Sequence, residues 1–319
     1  MKISEKFKSG KTLFAFELLP PLKGQSISNI FETVERLKIY DPAYINITYH
    51  QQQTELVEMG GGMLERRTVR KRPGTVAIAA SIASRYGIDV VPHLICGGFS
   101  RSDIEDMLID LSFLGIDNVL ALRGDSQSGE RSFTPHSKGH THACELVSQI
   151  MEMNSGHYLD TSLLQARATD FCIGVAGYPE KHIEAPNFTT DIDNLKHKID
   201  LGAQYVVTQM FFDNSHYFSY VEKCRLAGIT VPIVAGLKPF STARQLTLLP
   251  QTFGLDLPEG LSAQVLNHIN DAAAIRQIGT QWAIDQGLEL MAAGVPALHF
   301  YTMGNADNIV QVAGALFSK

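Results

Sequence analysis

Cysteine is scarce in this chain and nowhere clustered: Cys96, Cys144, Cys172 and Cys224 stand far apart and form no CxxC. A reduced, cytoplasmic setting fits that usage better than a disulfide framework. No apolar run reaches the roughly 18 residues that span a bilayer. The opening MKISEKFKSGK lacks the apolar stretch of a secretory signal, so no membrane association is expected. An excess of either charge is missing as well. The net charge of −6 over 319 residues argues against nucleic acid and anionic membrane surfaces as partners. Arg66, Arg67, Arg70, Lys71 and Arg72 form the one basic run; a solvated loop face and a clamp for a nucleotide phosphate both fit it. Two glycine signatures are absent too. No GxGxxG follows a strand, and Gly60-Gly61-Gly62 is not followed by GK[ST], so neither a dinucleotide-binding sheet nor a P-loop is indicated.

What the chain has is a set of short apolar segments: 13–19, 43–49, 89–93, 117–122, 171–176, 204–208, 232–235 and 297–301. Between them runs helical periodicity, as in Ile27, Ile30, Phe31, Val34 and Leu37. Apolar strands linked by helices call for a parallel sheet covered on both faces, and eight of them close a barrel. The expected fold is α/β, a single (β/α)8 TIM barrel over residues 1–319, with extra helices before the last strand. Those helices occupy 241–293 and break around Pro250 and Pro258. Ser102 followed by Glu105 reads as the capping box of helix 102–114. The polar, glycine-broken stretch after Tyr49 reads as a mobile loop, and 127–142 as a long polar loop.

The stretch Asp117–Ser126, DNVLALRGDS, concentrates the chemistry. A buried strand ends in Arg123-Gly124-Asp125, where a barrel places its active site; a surface turn closed by an ion pair fits these three residues equally. The other strands repeat the pattern, ending in Glu17, Thr48-Tyr49, His93, Tyr178, Gln209 and Tyr301. Apolar strands rarely spend polar residues without use, since each must be desolvated or paired. A structural hydrogen-bonding role fits any one of them; seven strands together point to a site. Glu17, set in FAFELLPP, is expected to have a pKa raised by desolvation, as a general acid near neutral pH requires. A structural pair with an arginine is its alternative. His136, His140 and His142 have no Cys or Asp at ligand spacing, so a solvated loop, not a metal site, is expected.

These stretches resemble the methylenetetrahydrofolate reductase family. FAFELLPP, YINITYH, VPHLIC, NVLALRGDS, AGYPEKHIEA, DIDNLKHKIDLGAQYVVTQMFFD, IVAGLKP and HFYT carry the resemblance, in order from Phe14 to Thr302. It implies non-covalent FAD in the barrel, and two half-reactions at one site. NADH or NADPH reduces the flavin; the flavin then reduces 5,10-methylenetetrahydrofolate to 5-methyltetrahydrofolate, a step that feeds methionine synthesis. By the same resemblance Glu17 is the general acid, Asp125 the acid beside flavin and pterin, and Gln209 and Tyr301 substrate contacts. Thr48, Tyr49, His93, Arg123, Gly124, Tyr178, His182, Ala185, Asp191, Asn194 and Lys198 match flavin-lining positions. Three departures stand out: His142 where a tyrosine faces the cofactor, His197 where an arginine is usual, and Asn305 near a substrate-binding arginine. The resemblance also leads to expecting a homo-oligomer and, with no regulatory domain following, no S-adenosylmethionine control. Another flavin-dependent barrel dehydrogenase of the proline-oxidising kind, a pterin-binding methyltransferase, and a non-catalytic folate-binding barrel are the competing readings.

Overall fold

The computed structural model describes residues 1–126, 132–302 and 306–318. In chain order the strands are β1 (Leu13–Leu18), β2 (Tyr44–Ile47), β3 (Gln53–Glu58), β4 (Leu64–Val69) and β5 (Val90–Ile95). They continue with β6 (Asn118–Leu122), β7 (Cys172–Gly177), β8 (Tyr205–Thr208), β9 (Ile233–Leu237) and β10 (Ala297–Tyr301). All but β3 and β4 close into a barrel in the order β1-β10-β9-β8-β7-β6-β5-β2, every neighbouring pair parallel. This is the expected (β/α)8 arrangement, and the eight apolar segments of the sequence are its eight strands.

Side chains alternate across a strand, and the alternation here sorts residues into two cores. Phe14, Phe16, Ile45, Val119, Ile173, Val206, Ile233 and Leu298 pack outward with helix residues such as Ile30, Val34 and Leu37. Ala15, Tyr44, Val91, Leu120, Cys172, Tyr205, Val234 and Ala297 form a separate inner cluster. The N-terminal segment plugs its base. Ile3 is fully buried in it, and the Phe7 ring lies 6.2 Å from Tyr44 and 5.7 Å from Tyr205. Full burial of such side chains contributes about 1.5–3 kcal/mol each relative to exposure. Stepping by two along the same strands leads from this apolar floor to Glu17, His93, Gly236 and His299, and then to Lys238 and Tyr301. The inner face turns from apolar to polar as it approaches the carboxyl ends.

The structure corrects several local expectations. Residues 53–69 form an antiparallel hairpin, not an irregular loop, pairing Gln53 with Val69 and Glu58 with Leu64. Its turn uses Gly60, Gly61 and Gly62, each at positive φ, which side chains would strain. The base is tied to the barrel mouth: Lys23 N–H donates to the Lys71 carbonyl at 2.8 Å, and the Arg72 guanidinium donates to the Pro20 carbonyl. Arg70 lies over the Phe99 ring at 5.1 Å, and Lys71 pairs with Glu55 at 2.7 Å. The capping box of helix Arg101–Phe113 is Ser100 with Asp103, two residues before the expected pair: Ser100 Oγ accepts from Asp103 N–H at 3.1 Å. Ser100 has the extended backbone a cap needs, while Ser102 is already helical. Pro250 does not break the chain's helical course but sits inside helix Gln245–Phe253, which continues past it although Pro250 has no N–H to donate. The extra helices Gln245–Phe253, Glu259–Asn267 and Ala272–Ala292 all precede β10, as expected. No helix among the described residues is long and apolar enough to cross a membrane.

Candidate active site

Because the barrel strands are parallel, their carboxyl ends share one mouth, and the polar tips of the sequence converge there. Glu17 is its centre. Only 7% exposed, it lies 4.0 Å from His93 Nε2 and 3.8 Å from His299 Nε2. Both separations are too long for hydrogen bonds and short enough for strong charge interaction. Burial pushes the Glu17 carboxyl up, but the imidazoles of His299 and His93 outweigh it and hold the group below its usual value. The expected raised pKa is therefore not what this arrangement produces. Glu17 has two imidazole neighbours in place of a purely apolar pocket. Burial drives His93 down to about 4 against the support of Glu17, so at neutral pH a carboxylate faces a neutral imidazole.

Polar atoms without partners surround this pair. His93 Nε2, both His299 ring nitrogens, Thr48 Oγ1 and both ends of the Asn46 amide are buried and make no hydrogen bond. Buried polar groups are nearly always satisfied, so these donors and acceptors suit a polar ligand or ordered water. Lys238 joins them: burial lowers its ammonium to about 8, and Glu17 is the charge that supports it. His50 is lowered by burial and by Arg72, and feels both Asp125 and Glu17.

A second cluster follows β6 and β7. Arg123 does not close a turn with Asp125. Its guanidinium forms a two-pronged pair with Glu184, at 2.6 and 2.8 Å, and lies 5.0 Å from the Phe133 ring centre. Gly124 between them has φ +89, a backbone conformation that favours glycine because any side chain there is strained. Asp125 is exposed at the rim, its carbonyl accepting from the Gln51 amide. Tyr178 meets His182 edge-on with ring centres 4.6 Å apart. The His182 N–H donates to Asp191 Oδ2 at 3.0 Å, and burial raises the Asp191 carboxyl. Lys198, lowered by burial to about 8 with Asp191 supporting its charge, donates to the Ala176 carbonyl at 2.9 Å. The Ala185 carbonyl accepts from Lys181 Nζ at 2.5 Å. Cations, imidazole and tyrosine side by side are a donor set suited to a phosphate-bearing aromatic cofactor such as FAD.

Other anticipated residues are placed less centrally. Tyr49 is buried edge-on against Phe99, 5.1 Å between ring centres. Gln209 Oε1 accepts from the N–H of Met210 at 2.9 Å, and Tyr301 donates to the Thr208 carbonyl at 2.6 Å. His142 and Asn194 are exposed on helix Ala143–Asn154's start and on helix Phe188–Asp200, His142 sitting 3.7 Å from Glu145. Asn305 lies outside the described residues. His140 is not solvated as expected but buried against Gln149 at 2.5 Å, and no group of metal-ligating residues occurs among the described residues. His50, His299, Lys238 and Glu184 were not singled out from sequence. His299 and Lys238 could have been, since each lies at an even step from an inward residue of its own strand; the Arg123–Glu184 pair, 61 positions apart, left no local signal.

Comparison with known proteins agrees with this geometry. Residues 2–316 match the family model described as "Methylenetetrahydrofolate reductase". "Methylenetetrahydrofolate reductase 2" of Saccharomyces cerevisiae is 32% identical, over 95% of this chain and 47% of its own length. "5,10-methylenetetrahydrofolate reductase" of Pectobacterium carotovorum subsp. carotovorum is 30% identical, over 93% of this chain and 88% of its own. The chain thus spans about half the length of the yeast relative and most of the bacterial one. Among solved structures, one described as an uncharacterized protein from Clostridium thermocellum that binds two copies of 5-methyl-5,6,7,8-tetrahydrofolic acid has TM-score 0.58 at 14% identity, covering 98% of this chain and 97% of that one. That likeness concerns the fold. With its barrel, its strand-end residues and a family match running from residue 2 to 316, the chain belongs to the methylenetetrahydrofolate reductase family.

Proposed function

We propose that residues 1–319 form one catalytic domain that reduces 5,10-methylenetetrahydrofolate to 5-methyltetrahydrofolate with NADH or NADPH, through non-covalently bound FAD. The observation that carries this reading is Glu17, buried at the mouth of the barrel between two imidazoles whose facing nitrogens, His93 Nε2 and His299 Nε2, make no hydrogen bond. The flavin, when bound, supplies hydride acceptance from the nicotinamide and hydride donation to the folate in alternation.

The chain's own residues bind, orient and handle protons. Lys198, His182, Tyr178 and Asp191 would hold the cofactor's polar and phosphate groups, with Arg123 fixed by Glu184 and therefore rigid beside them. Asp125 and Gln209 present an acceptor and an amide, able to read the donor and acceptor edge of a pterin. Glu17 supplies the proton that opens the folate imidazolidine ring to an iminium. It stands as a carboxylate in the ligand-free site, so it must take up that proton as folate enters and excludes water. His93, neutral at physiological pH, receives hydrogen bonds or donates them but cannot serve as the acid. We read the enzyme as cytoplasmic and homo-oligomeric, supplying methyl groups for methionine.

The test is spectroscopic. The purified protein, reconstituted with FAD, should be yellow, bleach anaerobically on addition of NADH or NADPH, and regain colour with 5,10-methylenetetrahydrofolate. A colourless preparation, or a reduced flavin that folate leaves unchanged, would overturn the reading.

A further inference from the structure

Lysines near this mouth have mostly found fixed partners. Lys198 donates to the Ala176 carbonyl, and Lys181 to the His182 and Ala185 carbonyls at 2.9 and 2.5 Å. Lys238 is different. It directly follows β9 and is half-buried, yet it makes no hydrogen bond or ion pair among the described residues. Its direction follows from the alternation along β9. Val234 belongs to the inner cluster, Gly236 follows at two residues, and Lys238 at four. Its height follows from register: Phe300 pairs with Leu237, and Glu17 pairs with Tyr301, so Lys238, Tyr301 and Glu17 stand level across three adjacent strands. Beneath Lys238, a Cβ on Gly236 would come within 2.1 Å of the Thr208 carbonyl and 2.9 Å of the Tyr301 ring. The floor is closed, and the ammonium's open side is the mouth of the barrel.

A half-buried ammonium gives up part of its hydration, and without a partner among the described residues nothing offsets that cost. A structural lysine would have taken a nearby carbonyl, as Lys181 and Lys198 do. We propose that Lys238 is a ligand-binding residue of this site, its ammonium taking the electron-rich carbonyl edge of a bound heteroaromatic ring. That edge is common to a pterin and an isoalloxazine, and the inference rests on the proposed function only for supplying those two ligands. The burial that lowers Lys238 to about 8 adds a pH signature: the grip is present below that value and lost as pH rises through it. Of the groups around it, Glu17 and His93 titrate well below this window and Tyr301 well above it.

The experiment compares wild type, Lys238→Met and Lys238→Arg, measuring dissociation constants of FAD for the apoprotein and of 5-methyltetrahydrofolate for the flavin-loaded protein, from pH 7 to pH 9. Lys238→Met should weaken one of the two ligands by about tenfold at pH 7, a difference of about 1.4 kcal/mol, and flatten its pH dependence. Lys238→Arg should restore pH 7 binding and hold it through pH 9, because a guanidinium does not titrate there. Weakening confined to FAD assigns the flavin edge; weakening confined to folate assigns the pterin edge. Wild-type affinities and slopes in Lys238→Met overturn the proposal. If Lys238→Met fails to fold, wild type against Lys238→Arg decides alone: identical fall-off above pH 8 overturns it. Flavin bleaching by NADH or NADPH, followed by folate reoxidation, is read in parallel on wild type, so failure of the proposed reaction is seen separately.

Discussion

Glu17 and His93 respond to the same burial in ways that leave one charged and the other neutral. The carboxylate is held down by two imidazoles, while His93 cannot keep a proton above about 4. If Glu17 gives a proton to folate, it must first acquire one. Folate binding at pH 7 should then take up close to one proton, visible as a buffer-dependent binding enthalpy in calorimetry; a buffer-independent enthalpy would remove Glu17 from the acid role. Glu17→Gln should keep its flavin and its bleaching by NADH or NADPH, yet lose folate reduction by about 10²-fold or more. Asp125→Asn should lower folate turnover while flavin content stays near wild type, because the Arg123 guanidinium is anchored by Glu184 and not by Asp125. Equal losses in both readouts would assign Asp125 a structural role.

Strands and their ends carry the site, and small residues in them decide whether the tips can meet. Gly124 has φ +89, a conformation in which a side chain is strained whatever the space around it. Gly124→Ala should cost about 1–2 kcal/mol of stability in denaturant titration, with a larger loss of flavin affinity, since it shifts Arg123 and Asp125 together. All eight barrel strands were legible in the sequence, because each is a short apolar run between helical periods. The hairpin 53–69 was not. Its charged strands, joined by a glycine turn, belong to no core, so the pattern that marks a buried strand is missing, and only backbone pairing and the ties at Pro20, Lys23 and Phe99 define it. The Ser100 cap was misplaced by two residues for a related reason. Ser100-x-x-Asp103 and Ser102-x-x-Glu105 both satisfy the motif, and backbone conformation alone selects between them.

At the scale of the molecule the buried ionisable groups give stability a direction with pH. His93 is lowered from its ordinary value to about 4, so the unfolded chain binds more protons between about 6.5 and 4, and stability falls as pH falls through that window. Glu17, also lowered, adds a loss of the same sign below its ordinary value. Thermal unfolding temperatures should therefore drop from pH 6.5 to pH 4, and His93→Gln should drop less steeply than wild type. A parallel decline in both proteins would mean that other groups govern acid sensitivity.

The sequence by itself determined the barrel, because strand-length apolar runs alternating with amphipathic helices can be buried in few other ways. It determined too that polar residues gather at one mouth, since parallel strands leave no other place for their ends. What only the tertiary structure decided is which of those groups face each other. Arg123 turns to Glu184 across 61 positions, and His299 and His93 come from strands on either side of Glu17 to set its charge. Lys238 reaches the same level two strands away. Such pairings depend on strand order and register, and those arise from closure of the whole barrel, which no local stretch of chain encodes.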